Sequence, residues 1–425
     1  MKIIFSSLTL IFSAWVYSDV IIHAGHVFDS ATGVFKPNQS IVIQQNKIKT
    51  VQDGFIKIDK DDNYINLKSS FVLPGLMDAH VHLAQEYQPK AERDIAQESE
   101  YATLYAAANA KKTLEAGFTT VRNLGDGGMQ TISLRKAIER GLVVGPRIIT
   151  SGKTLATTGG HGDPTNGKSK NDYTPPSPEE GVIDSYDDAK KAVRQRYKDG
   201  VDGIKITATG GVLSVAKSGQ NPQFMKDELV GVIETAKDYG LWVAAHAHGT
   251  EGIIRAVEAG VTSIEHGTYL DEVGMDLMIA KGTYYVPTIV AGEWVAEKAK
   301  IDNFFPELVR PKAASIGPQI QSTFAKAYSR GVKIAFGTDS GVSPHGENWK
   351  EFLLMVEAGM PANEAIQSAT IETAKLFRVD DVLGQIKANY LADIVATDED
   401  PTVNVNALGN IVFVMKNGEV IKHLN

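Results

Sequence analysis

The stretch Asp78-Ala79-His80-Val81-His82 sets two histidines one residue apart at the end of an apolar run. Alternate side chains of a strand share a face, so His80 and His82 point the same way and can hold one divalent cation. Four more apolar runs finish on groups of the same kind. Lys205 stands in Asp202-Gly203-Ile204-Lys205-Ile206, His246 in His246-Ala247-His248, His266 in Glu265-His266-Gly267, and Asp339 in Gly337-Thr338-Asp339. Each piece alone is weak: a strand histidine often only hydrogen-bonds, a lone lysine often snorkels to solvent, and Gly-Thr-Asp also makes turns. Four histidines, a lysine and an aspartate at successive strand ends, in order, point to one shared site. Such donors suit zinc, manganese, cobalt or iron.

Stepping outward, the elements that position these groups alternate. Apolar runs occur at 71–82, 119–124, 146–151, 203–207, 242–246, 263–266, 284–288 and 333–339. Helical patterns lie between most of them, at 98–116, 130–140, 186–198, 226–239, 252–259 and 273–281, with a longer region ending at Arg330 and another at 347–358. Glycines follow several of these helices: Gly117, Gly141, Gly240 and Gly331. Eightfold alternation predicts an α/β fold, a (β/α)8 TIM-like barrel whose strand ends converge on one rim. An open doubly wound sheet competes, but no Gly-rich dinucleotide fingerprint follows the first barrel strand.

Both ends read as β structure, with short β-rich runs at 20–24, 40–44, 392–396 and 410–415, and a hairpin signal at Asn417-Gly418. The expected organisation is a small β-sandwich formed from residues 19–70 and 379–425 around a barrel at 71–378. Residues 1–18 read as an export signal: Lys2, an apolar stretch, then Val16-Tyr17-Ser18 before Asp19. The apolar stretch is short for a membrane span. A periplasmic or secreted protein with no stable membrane span after signal cleavage is therefore expected.

The 425 residues carry a net charge of −8 without a basic run, which argues against nucleic acid as a partner. There is no cysteine, so disulfides, thiolate catalysis and cysteine zinc clusters are excluded.

The motifs together resemble the amidohydrolase superfamily, in its imidazolonepropionase-like and prolidase-like branch. They are Pro74-Gly75-Leu76-Met77-Asp78-Ala79-His80-Val81-His82, Gly117-Phe118-Thr119-Thr120-Val121-Arg122, Lys205, His246-Ala247-His248, Ile264-Glu265-His266-Gly267 and Gly337-Thr338-Asp339. Stretches around 357–370 and 384–395 match as well; Asn389 departs where the family often has glycine. The resemblance implies that His80, His82 and Asp339 hold one divalent metal and that His246 and His266 hold a second, with zinc the first choice. It implies that Lys205 bridges the two as a carbamate derived from carbon dioxide. An ammonium has no lone pair and repels a cation, whereas a carbamate offers anionic oxygens. The other reading keeps Lys205 as an ammonium beside a single metal. Asp339 would move the proton released by a metal-activated water. His161, in Thr158-Gly159-Gly160-His161-Gly162, and Tyr269 are the candidates for stabilising the oxyanion.

Other residues carry weaker assignments. His248 is either a substrate contact or a support, Arg122 a structural ion pair or a carboxylate anchor, and His345 a loop residue near the mouth. His23, His26 and His423 read as structural. The polar stretch 157–178 has the length of a binding loop or lid. The expected partner is a small-molecule substrate, and self-association is open. The first functional expectation is an exported dipeptidase for Xaa-Pro or Xaa-basic dipeptides. The alternatives are a cyclic amidase, or an N-acyl amide, carbamate, ester or phosphotriester hydrolase with the same site. A binding protein that kept the barrel and lost the chemistry is third.

Overall fold

The computed structural model describes residues 19–60, 62–87, 98–214 and 216–424; the expected export signal lies outside them. The chain opens with β1 (Val20–Asp29), β2 (Val34–Gln44), β3 (Lys47–Asp53) and β4 (Asn63–Pro74). The run expected at 71–82 is split. Residues 71–74 finish β4, and β5 (Leu76–Val81) starts the second module. Gly75 makes the break possible, because a Cβ there would lie 2.1 Å from Thr119 Oγ1.

From β5 onward strands and helices alternate: α1 (Ser99–Glu115), β6 (Phe118–Asn123), α2 (Gln130–Glu139), β7 (Arg147–Thr150), α3 (Tyr186–Asp199) and β8 (Gly203–Thr207). Then come α4 (Lys226–Asp238), β9 (Trp242–Ala247), α5 (Thr250–Ala259), β10 (Ser263–His266), α6 (Glu272–Lys281) and β11 (Tyr284–Val286). The long helical region resolves into α7 (Ile289–Lys298) and α8 (Arg310–Arg330), followed by α9 (Lys350–Glu357). The helix-ending glycines 117, 141, 240 and 331 all take positive φ, as a helix stop requires.

These strands are all parallel and form two sheets, β5-β6-β7 and β8-β9-β10-β11. The fold is TIM-barrel-like, but the assigned sheets do not close into one ring. The eighth run, 333–339, is not a regular strand. It joins its neighbours through single contacts, such as Tyr285 N–H to Lys333 O at 2.8 Å and Asp339 N–H to His80 O at 2.7 Å. Its backbone leaves strand geometry at Asp339, whose φ is 57°. On the other side Leu155 bridges to Ile206.

The chain then returns to its beginning. The last strands, β12 (Ile394–Thr397), β13 (Phe413–Lys416) and β14 (Glu419–His423), complete one sheet in the order β14-β13-β12-β4-β1-β2-β3. It encloses its own core of Ile22, Ile41, Ile65, Val72, Ile394 and Phe413. Asn417 and Gly418 both take positive φ, which the two-residue hairpin demands. Asn389 has φ 74°, so the turn survives without glycine because asparagine tolerates that region. His23 packs against Phe55 and Tyr64, and His26 stacks on Phe71, inside this terminal module.

Candidate metal centre

The first donors come from β5 and the 338–340 segment, and Asp78 ties the two together. Its Oδ1 accepts the N–H groups of His80 (3.0 Å) and Thr338 (3.1 Å). Its Oδ2 accepts Thr338 Oγ1 (2.6 Å) and Asn348 Nδ2 (2.7 Å). Burial outweighs these four bonds and pushes the Asp78 carboxyl up to about 6. The tie brings Asp339 Oδ1 to 3.4 Å from His80 Nε2 and 3.2 Å from His82 Nε2.

The remaining groups gather around this trio. Lys205 Nζ is 3.4 Å from His80 Nε2. The His80 and His266 rings lie 5.0 Å apart, His266 and His246 4.6 Å, and His246 and His161 4.4 Å. All of the expected ligands thus meet in one place, and His161 stands beside them. His248 belongs to the cluster too: one ligand nitrogen from each of His246, His248 and His266 falls within 4.8 Å, as do those of His80 and His266 with an Asp339 oxygen. Tyr269 stands further out, lining a cavity of about 240 Å³ with His248, Val212, Pro311, Lys312 and Ile316.

The orientation of each ring is fixed from behind. His80 Nδ1 faces Glu265 Oε2 at 3.0 Å, and His82 Nδ1 faces Gly125 O at 3.2 Å. Both Nδ1 atoms therefore donate, and both Nε2 atoms present lone pairs. His266 Nδ1 meets Thr288 Oγ1 and His248 Nδ1 meets Thr268 Oγ1, each at 2.8 Å. Glu265 is itself held by Arg122 at 2.9 Å, and both are buried. Arg122 is thus an internal ion-pair partner, and its Nε also donates to Ala79 O.

This donor set fits a cation. The His80 and His82 Nε2 atoms are 3.3 Å apart and both face Asp339 Oδ1, a buried oxygen with no hydrogen-bond partner among the described residues. Three electron-rich atoms pressed together repel unless a positive charge sits among them. Burial, with Lys205 adding to it, holds His80 well below the ordinary imidazole range. Burial does the same first for His246 and His266, and brings His248 to about 3 and His161 to about 4. Neutral imidazoles are the form that ligates. Burial also lowers Lys205 to about 8, which favours the free amine that carbon dioxide needs. For Asp339 burial raises the pKa, but His80, His82 and Lys205 outweigh it and keep the group ionised.

The backbone is strained at this site. His266, Thr288 and Asp339 have φ of 71°, 55° and 57°, left-handed values rare for such residues. At His266 the turn matters, because regular alternation after Glu265 would face its ring away from Glu265's side.

A model of the amidohydrolase family matches residues 71–422. The chain belongs to that family. This amidohydrolase is similar to a solved Xaa-Pro dipeptidase with bound methionine in the active site, at 58% identity and TM-score 0.94, covering 95% of this chain and 100% of the other. It is similar to a prolidase complexed with N-methylphosphonate-L-proline, at 30% identity and TM-score 0.87, covering 96% and 100%. Ochratoxinase of Aspergillus niger is 31% identical over 378 residues, 83% of this chain and 75% of the relative. The amidohydrolase is accordingly a hydrolase acting on C–N bonds.

Reasoning from sequence gave no role to Glu265, Thr268, Thr288 and Lys312, and it read Ser214 only within Gly210-Gly211-Val212-Leu213-Ser214, a stretch expected to shape the pocket. Glu265 adjoins an expected ligand histidine, and a carboxylate inside an apolar strand was the available signal. Thr268 and Thr288 are short polar residues just past strand ends, with nothing to mark them, and Lys312 reaches the site from the first turn of α8.

Proposed function

We propose that this amidohydrolase is an exported, metal-dependent dipeptidase that cleaves Xaa-Pro dipeptides, with Xaa-basic dipeptides the next class to try. The observation that carries the reading is 58% identity to a Xaa-Pro dipeptidase along 95% of the chain, with the whole ligand set gathered in one buried cluster. In this reading the chain from β5 to residue 378 forms the catalytic barrel, the 333–340 segment completes its eightfold ring, and β1–β4 with 379–425 form the accessory sandwich. His80, His82 and Asp339 would hold one divalent ion and His246 and His266 the other, and Lys205, as a carbamate, would supply anionic oxygens to the pair. When bound, the ions, zinc by ligand type, act as Lewis acids and lower the pKa of water.

The protein's own groups do the rest. The Asp339 carboxylate, kept ionised by its neighbours, takes on its other oxygen the proton released as water adds to the scissile carbonyl, then hands it to the departing nitrogen. Proton delivery matters because an amide nitrogen leaves poorly as an anion. His161 and Tyr269 donate hydrogen bonds to the oxygen that gains charge. The cavity beside Tyr269, walled by Val212, Pro311 and Ile316, takes a substrate side chain.

The relative ochratoxinase favours a second reading, in which the same site opens another amide with a bulkier acyl or amine part. One experiment separates the two. Protein purified with bicarbonate and zinc is analysed for metal content and assayed against a dipeptide library and N-acyl amino acids. Turnover of Xaa-Pro dipeptides with about two metals per chain supports the first reading. No dipeptide turnover beside rapid N-acyl cleavage replaces it with the second. Export is checked by sequencing the mature N-terminus, expected at Asp19; an intact Met1 refutes signal cleavage.

A further inference from the structure

Lys312, in the first turn of α8, lines the cavity beside Tyr269 and is a natural candidate for a substrate-carboxylate anchor. Its hydrogen bonds say otherwise. Nζ donates to the carbonyl oxygens of Gly211 (3.2 Å), Ser214 (2.8 Å) and Ala216 (2.9 Å). An ammonium has three hydrogens, so all of Lys312's capacity goes to the loop that follows β8. The same loop is fixed by apolar contact, since Val212 and Leu213 pack on the cluster of Val295, Phe305, Val309 and Ile316.

What this loop carries toward the site is Ser214. Its Oγ lies 2.6 Å from His161 Nδ1 and 3.1 Å from both the N–H and the carbonyl oxygen of Gly211. This hydroxyl accepts the Gly211 N–H, and its single hydrogen has two acceptors within reach, Gly211 O and the nearer His161 Nδ1. A neutral imidazole with Nδ1 accepting must carry its proton on Nε2. Gly211 also lies flat against the ring, where a Cβ would come within 2.3 Å of Cε1. The His161 backbone is held separately, by Gln223 Oε1 at 2.8 Å.

We propose that Lys312 and Ser214 are positioning residues that keep His161 as an Nε2–H donor: Lys312 pins the loop, and Ser214 on that loop fixes the ring's tautomer and angle. Lys312 is then a staple, and the substrate carboxylate is bound by something else. The inference rests on the reading of His161 as the donor to the developing oxyanion.

The test uses the zinc-loaded full-length protein and its best substrate from the library. Lys312→Met and Ser214→Ala each lower kcat by about 10²-fold, the cost of a misplaced catalytic group, with KM little changed. In a His161→Ala background the same substitutions lose almost all of that effect, because coupled residues are not additive. Equal losses in both backgrounds overturn the proposal, as does a raised KM with kcat intact, the mark of a carboxylate anchor. A second readout needs no turnover: hydrogen exchange of backbone amides 210–220 followed by mass spectrometry. Lys312→Met accelerates exchange there and not in the terminal sheet. Unchanged exchange overturns the staple even if the dipeptidase reading has failed, and accelerated exchange supports it in that same case.

Discussion

Replacing Glu265 with glutamine probes the support beneath the metal centre. Glu265 joins three partners, accepting from His80 Nδ1, Arg122 Nη2 and Ser263 Oγ. An amide keeps the shape but removes the charge and turns one oxygen into a donor that must face another donor. Arg122 is only 1% exposed and keeps just Ala79 O and Ser263 Oγ as acceptors. Breaking a buried pair from one side costs about 3–5 kcal/mol. An unfolding entropy of roughly 2.1 cal/mol/K per residue over some 400 residues converts this to about 4–6 °C in Tm. The His80 ring also loses the acceptor that holds its Nδ1–H, so metal affinity falls about 10–100-fold. Calorimetry of metal-free and zinc-loaded protein, with a chelator competition for affinity, reads both numbers. Removing both partners, as Arg122→Met with Glu265→Leu, recovers part of the Tm but none of the affinity. A Glu265→Gln protein with Tm within about 1 °C of the parent and unchanged zinc affinity would falsify the account of this carboxylate.

Three further outcomes are expected. Asp339→Asn lowers kcat by at least about 10²-fold at saturating zinc, since the proton carrier is gone; a loss of only a fewfold sinks that role. Lys205→Ala reduces metal content from roughly two to one or fewer per chain, and short carboxylic acids restore part of it; full occupancy and activity without rescue refute the carbamate. Glu351 is buried and accepts the N–H groups of Ile289 and Val290, and burial raises its carboxyl from 4.5 to about 8. A folded pKa above the unfolded value gives stability that is complete below the unfolded pKa and lost as pH climbs to the folded one. Urea unfolding therefore shows stability falling between about pH 5 and pH 8, and Glu351→Gln flattens that fall; an identical slope in both proteins removes Glu351 as its cause.

The positions of the site were legible because strand periodicity is local. His80 lies in β5 and His82 just past its end, and their alternate spacing alone predicts a shared face. Glycines 117, 141, 240 and 331 marked helix ends for an equally local reason, as the observed φ values bear out. The eighth run, 333–339, is apolar and bonds to neighbours on both sides, but single bridges stand in place of a continuous ladder and the backbone bends at Asp339. Gly75 was read only as part of a motif, since the Thr119 side chain that forbids a Cβ there comes from another strand. What stayed hidden were partners fixed by loop conformation. Nothing in the spacing of His161, Ser214 and Lys312 announces that a lysine on α8 governs a histidine after β7.

The terminal sheet has a consequence for how the chain is made. β4 lies between β1 and β12, so Val72 waits for Ala396 before its second edge is paired. Loop closure over more than three hundred residues is slow, and an open edge is a template for wrong partners. Until β12 emerges from the ribosome, the growing polypeptide carries an unpaired β4 edge. The interval between the synthesis of β4 and that of β12 is therefore a period in which a chaperone can still engage the exposed edge.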